Sequence, residues 1–150
     1  AYVGSWVNLG AGTSNSDLRN DYGPVRVMVN DRLVDTGRTK IGCFLGDHVK
    51  AAIGCLLNTG TSVGPFAGLL PSGSLLPRHV PGFCNVIDGR IVTAEDMDGL
   101  IATARIVMSR RERVLTPAHE RLYRLLYEQS VWNRARPTHE PERRLVRLGA

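Results

Sequence analysis

From Leu45 to Leu75 the chain carries an apolar residue at every sixth position: Leu45, Ala51, Leu57, Val63, Leu69 and Leu75. Four positions after each of the first five stand Val49, Cys55, Thr61, Ala67 and Gly73, all small or β-branched. One position after the first four stand Gly46, Ala52, Asn58 and Gly64. A helix repeats every 3.6 residues and a strand every 2, so neither keeps both phases in step. A fixed short repeat marks a β-solenoid, with each hexad forming one side of a coil. The aliphatic residue is expected to point inward, with the small one beside it near the corner. Gly or Asn after the aliphatic residue is expected to turn the backbone through φ > 0. The same phase opens the chain, as Val3–Asn8 and Leu9–Ser14.

The interruption, residues 15 to 40, has its own pattern. Asn15 to Pro24 is polar and turn-rich. Val25-Arg26-Val27-Met28-Val29, a turn at Asn30-Asp31, and Arg32-Leu33-Val34-Asp35 predict a β-hairpin that projects from the coils. Projecting loops on a rigid scaffold commonly carry binding residues. Pro77 and Pro81 are expected to end the coils, and residues 84 to 92 to form a connector turning at Asp88-Gly89. Thr93 is the expected N-cap of a helix whose stripe is Met97, Leu100, Ile101, Ala104, Val107 and Met108. Thr116-Pro117 opens a second helix, with Leu122, Leu125, Leu126 and Trp132 as its apolar face. Beyond Pro137 the tail is charged and is expected to fray. The expected layout is a coil unit over 1–85 and a helical extension over 86–150. The two helices are expected to cover an end or a flank of the coils, or to dock another subunit.

Composition narrows the class. With 150 residues, 43% of them hydrophobic, the chain suits one globular unit with a buried core. No apolar run reaches the roughly 20 residues of a membrane span. The chain opens inside a hexad, so it reads as a C-terminal piece of a longer protein. Cys43, Cys55 and Cys84 are odd in number and form no CxxC pair, which favours buried reduced thiols and a cytoplasmic setting. The net charge is +5, and beyond residue 100 there are 11 Arg against 5 Glu. No aromatic motif is interleaved with these arginines, so a solvated helix face or a packing surface is favoured over nucleic-acid binding.

Among candidate chemical groups, His48 and Lys50 flank a turn, and His48 is expected either to reach a subunit groove or to be solvent-exposed. His48, His79, His119 and His139 lack the spacing of a three-histidine zinc site, and no metal is assigned. Gly10-Ala11-Gly12 is too short for a nucleotide loop and has no helix after it.

Asn8-Leu9-Gly10-Ala11-Gly12-Thr13, the loop ending at Asp17-Leu18-Arg19, the hairpin, and Gly46-Asp47-His48-Val49-Lys50 together resemble a known domain. It is the C-terminal left-handed β-helix of the bifunctional N-acetylglucosamine-1-phosphate uridyltransferase/glucosamine-1-phosphate acetyltransferases. The likeness covers roughly residues 1 to 85 and leans toward archaeal-type and alternative bacterial sugar-phosphate nucleotidyltransferases. The terminal helices look like an extension of the alternative bacterial branch. The resemblance implies a mainly β, single-stranded left-handed parallel β-helix with an inserted hairpin and two C-terminal helices. It implies a homotrimer beneath an upstream nucleotidyltransferase domain, with acetyl-CoA between protomers and an amino-sugar phosphate as acceptor. The amine must be unprotonated to attack the thioester, which requires a base, and the tetrahedral oxyanion requires a donor.

By the resemblance, Asn8 matches an Asn lining the sugar site, and Asp17 stands where the family usually has Asn. Arg38 and Lys40 match a basic pair suited to phosphate. Lys50, and Arg78 at the end of the coils, are candidates for the cofactor groove. Ile53 and Pro71 stand at the family's CoA-contacting Ser and Ala positions. The family's catalytic His and its partner Tyr fall one coil before Ala1, which leaves His48 as the candidate base within the chain. The fragment alone is therefore expected to be inactive. Two readings stay open: the acetyltransferase half of a bifunctional enzyme, or a noncatalytic trimerising and regulatory domain for an upstream nucleotidyltransferase.

Overall fold

The computed structural model describes residues 1–30, 32–94 and 96–135. The fold is mainly β, with many parallel strands followed by three short helices. The first coil supplies β1 (Tyr2–Val3), β2 (Asn8–Leu9) and β3 (Ser14–Asn15). The hairpin follows as β4 (Arg26–Val29) and β5 (Arg32–Asp35). Then come β6 (Phe44–Leu45), β7 (Lys50–Ala51), β8 (Leu56–Leu57), β9 (Ser62–Val63) and β10 (Gly68–Leu69). The last are β11 (His79–Val80), β12 (Cys84–Ile87) and β13 (Arg90–Thr93).

These strands stack in three columns: β1-β6-β9-β11, then β2-β7-β10-β12 with β13 at its edge, and β3-β8. Phe44 pairs with Ser62, and Lys50 with Gly68, so three hexads bring the chain back to the same column. This arrangement is compatible with a β-helix. The inward set is the one the hexads predict. Leu45, Val49, Ala51, Cys55, Leu57, Val63, Ala67 and Leu69 form one core with Cys43, Val80, Cys84 and Val86. All three cysteines are free and buried.

Four expectations are corrected here. The repeat slips by one residue in its last hexad: Leu75 is 58% exposed, Leu76 is 3% exposed, and Gly73 is on the surface. The bend at Gly73 and Ser74 absorbs the slip. Pro77 and Pro81 do not end the stack, since β11 and β12 still pair with β9 and β10. Strands of two residues leave the prolines at corners, where no ladder donor is needed. The connector is a paired hairpin, β12 with β13, turning at Asp88 and Gly89, both with φ > 0. Gly46 and Gly64 are not in the positive-φ set. They serve close approach instead: a Cβ on Gly64 would lie 2.2 Å from the Gly82 nitrogen.

The hairpin folds as predicted, and its foot is tied down. The Val25 amide donates to the Arg38 carbonyl and the Ile41 amide to the Asp17 carbonyl. Val25 and Val27 are buried. The Arg26 carbonyl lies over Gly60, where a Cβ would come within 2.7 Å of it.

The helices are α1 (Met97–Ser109), α2 (Pro117–Gln129) and the short α3 (Val131–Ala135). Among the described residues three are present where two were expected. Thr93 ends β13, and the N-cap of α1 is Asp96, whose carboxylate accepts from the Gly99 amide. Met97, Ile101, Ala104 and Met108 are buried as the stripe predicts. Thr116 caps α2 as expected, accepting from the His119 amide. The Thr116→Ala variant should lose about 1 kcal/mol of stability, measured by urea unfolding against the parent. The apolar face of α2 is corrected: Tyr123 is buried, with Leu126 and Tyr127 beside it, whereas Leu122, Leu125 and Trp132 are exposed. Several tail arginines join the helices to each other. Arg124 pairs with Asp98 and Glu120, and Arg105 with Glu120. Exposed pairs of this kind contribute at most about 1 kcal/mol each. Glu95, Asp31, His139 and the charged tail lie outside the described residues.

Candidate functional site

The corner between the first and second columns carries a ladder of rings. Trp6, His48, Phe66 and Phe83 each follow an inward aliphatic residue by three positions: Val3, Leu45, Val63 and Val80. All four have φ near +60°. The rings stack in order, at 6.4 Å for Trp6–His48, 4.6 Å for His48–Phe66 and 5.3 Å for Phe66–Phe83 between centroids. α2 lays Tyr123 edge-on against His48 and Phe66, and Tyr127 edge-on against Phe83. The helices thus cover a flank of the stack, at this corner, with Met97, Ile101, Ala104 and Met108 in the same cluster.

His48 is therefore neither in an open groove nor on the surface; only 2% of it is exposed. Both ring nitrogens lack a hydrogen-bond partner among the described residues. Burial, and then the nearby Lys50 ammonium, push its pKa from 6.5 down to about 4, so the ring is neutral at pH 7.

Lys50 lies on the outer side of the second column, where register sets it between Asn8 and Gly68. Asn85 follows Gly68 in the same row. The structure thus brings Asn8 and Lys50 together on one outer face, 42 residues apart in sequence. The Lys50 ammonium donates to the Trp6 carbonyl at 2.9 Å, and burial lowers its pKa. Between this row and α1 lies a cavity of about 170 Å³, lined by His48, Lys50, Phe66, Asn85, Leu100 and Thr103, among others.

The remaining candidates gather elsewhere. Asp17, Arg38 and Lys40 are exposed around the foot of the hairpin, where Leu18 and Lys40 form an antiparallel bridge. Neither Arg38 nor Lys40 is ion-paired among the described residues. Arg78 is exposed just before β11, its carbonyl accepting from the Ser62 amide, and is separate from both groups. Ile53 is 73% exposed. Among the described residues, no three His, Cys, Asp or Glu side chains are grouped to hold a metal ion. No helix among them is long and apolar enough to cross a membrane.

Sequence reasoning did not single out Trp6, Phe66, Asn85 or Thr103. The signal for the first two was present: a bulky ring at the third position after the inward aliphatic residue, in phase with His48.

Over 74 residues the chain is 38% identical to the bifunctional sugar-1-phosphate nucleotidylyltransferase/acetyltransferase of Sulfurisphaera tokodaii. The match takes in 49% of this chain and 18% of that relative. No protein-family model matches the chain. The likeness supports kinship with a sugar-phosphate transferase.

Proposed function

We propose that the chain is the C-terminal, left-handed β-helical domain of a sugar-phosphate nucleotidyltransferase-like protein, serving acetyl transfer from acetyl-CoA to an amino-sugar phosphate. The observation that carries this reading is the 38% identity to a protein named for both activities. The adjacency of Asn8 and Lys50 on one outer face supports it. In this reading Asn8 hydrogen-bonds the sugar, and Arg38 and Lys40, exposed and without an ion pair among the described residues, hold its phosphate. Lys50 and Arg78 face the cosubstrate, whose phosphates favour cationic partners. Asp17 borders the sugar phosphate without supplying charge to it.

The base is not His48. A ring stacked between Trp6 and Phe66, with a pKa near 4, is too weak a base to hold an amine's proton at pH 7. The base belongs to a preceding coil, and the groove is completed by a neighbouring protomer of a homotrimer in the cytoplasm.

The test is acetyl transfer by the full-length protein with acetyl-CoA and glucosamine 1-phosphate, followed as free CoA thiol. Release of CoA is expected, and Asn8→Ala should reduce kcat/KM roughly tenfold, about 1.4 kcal/mol of transition-state binding. A trimer that releases no CoA with any amino-sugar phosphate would overturn this reading. The chain would then be a noncatalytic trimerising and regulatory domain for an upstream nucleotidyltransferase.

A further inference from the structure

The cavity beneath α1 has features that acetyl transfer does not use. It is walled by Phe66, Ala67, Leu100 and Ala104, with His48, Lys50, Asn85 and Thr103 as its polar lining. Its volume of about 170 Å³ is that of a space able to take a six-membered ring. The row of outward residues that floors it is broken at Gly68, where a Cβ would lie 2.3 Å from Asn85 Oδ1. The missing side chain lets the Asn85 amide lie across Gly68, at the floor of the cavity.

Two groups there are chemically incomplete. His48 is buried with both ring nitrogens unpartnered, although buried polar atoms are nearly always satisfied. Lys50 is partly buried, spends one of its three donors on the Trp6 carbonyl, and has no carboxylate partner among the described residues. A half-buried cation without a counter-ion is stabilised by an anion. The Thr103 hydroxyl and the Asn85 amide at the same cavity add neutral hydrogen-bonding capacity.

We propose that this cavity binds a small organic carboxylate, its carboxylate at Lys50 and His48 and its apolar end against Phe66 and Leu100. Neutral His48 has one N–H to donate to a carboxylate oxygen and Lys50 has two; the apolar walls exclude inorganic anions of similar charge. The site lies at the seam between α1 and the sheet, so occupancy ties the helices to the stack. It shares Lys50 with the acetyl-transfer reading but no other residue assigned there, and it survives that reading's failure.

Benzoate is the probe, titrated into the 150-residue chain by calorimetry, with benzyl alcohol as the uncharged match. A Kd below about 1 mM for benzoate is expected, with benzyl alcohol at least about tenfold weaker, a difference of 1.4 kcal/mol. The His48 ring resonances should move as benzoate saturates, and Lys50→Met should weaken benzoate at least about tenfold. Equal binding of the alcohol would overturn the anion assignment. So would an unchanged Lys50→Met, or an absence of both heat and His48 shifts up to about 10 mM, which would leave solvent as the only occupant. If Lys50→Met does not fold by circular dichroism, Thr103→Leu at the exposed cavity edge replaces it. Weakened benzoate binding by that variant supports the site, and unaltered binding counts against it.

Discussion

Phe66→Ala should destabilise the chain by about 3–5 kcal/mol and loosen the helices from the sheet. The ring is 5% exposed and central to the corner ladder. It stacks on His48 and Phe83, and takes the edge of Tyr123. Removing it deletes buried apolar area and leaves a cavity between two layers that cannot both collapse inward. Each lost ring pair adds about 0.5–1.5 kcal/mol beyond area alone. Phe66→Leu retains most of the volume and should lose less than half as much. Urea unfolding gives the magnitude, and helical ellipticity below the main transition gives the detachment. A loss under about 1 kcal/mol would mean that the ladder does not anchor the helices.

The second large effect is acid destabilisation through His48. In the unfolded chain the ring titrates near 6.5, and in the fold near 4. Above pH 7 both states are neutral and His48 contributes nothing to pH dependence. Between pH 6.5 and 4 the unfolded chain takes up a proton that the folded chain refuses. Stability therefore falls as pH drops, by on the order of 3 kcal/mol at pH 4. The surroundings agree with the sign. Trp6 and Phe66 flank the ring and Tyr123 meets its edge, while Lys50 and, from α2, His119 repel a proton. Asp47 attracts one, but less than burial opposes it. His48→Phe leaves the ladder with no titratable ring in this range and should flatten this segment of the stability–pH curve, measured at pH 7.5, 5.5 and 4.5. An equal slope in both proteins would exclude His48 as its source.

The stack was legible because its rule is local. One inward aliphatic per hexad is enough to place Leu45, Ala51, Leu57, Val63 and Leu69, and each lies where the count puts it. The count fails at Leu75 because a bend at Gly73 and Ser74 shifts the phase, and phase shifts leave no mark in the residues before them. Pro77 and Pro81 misled for a related reason: a proline breaks a long ladder, but two-residue strands offer gaps that accommodate it. The α1 stripe was readable from spacing, whereas the α2 face was not. Leu122 and Leu125 satisfy helical periodicity, yet the ladder selects Tyr123 and Tyr127 because edge-on contact with stacked rings needs aromatic partners. The candidate site was legible only in pieces. Asn8 and Lys50 become neighbours through a register that spans the hairpin, and Thr103 joins the cavity only once α1 docks.

The hairpin leaves the stack after Asn15 and rejoins before Cys43, and these two residues are themselves tied, the Cys43 amide donating to Asn15 Oδ1 at 2.8 Å. Entry and exit are stapled together, so coil geometry is indifferent to how much polypeptide intervenes. Among the described residues from Val25 to Asp35, Val25 and Val27 are the buried ones. Foreign loops of unrelated length spliced in after Val29 are thus expected to be displayed without unwinding the spool that carries them.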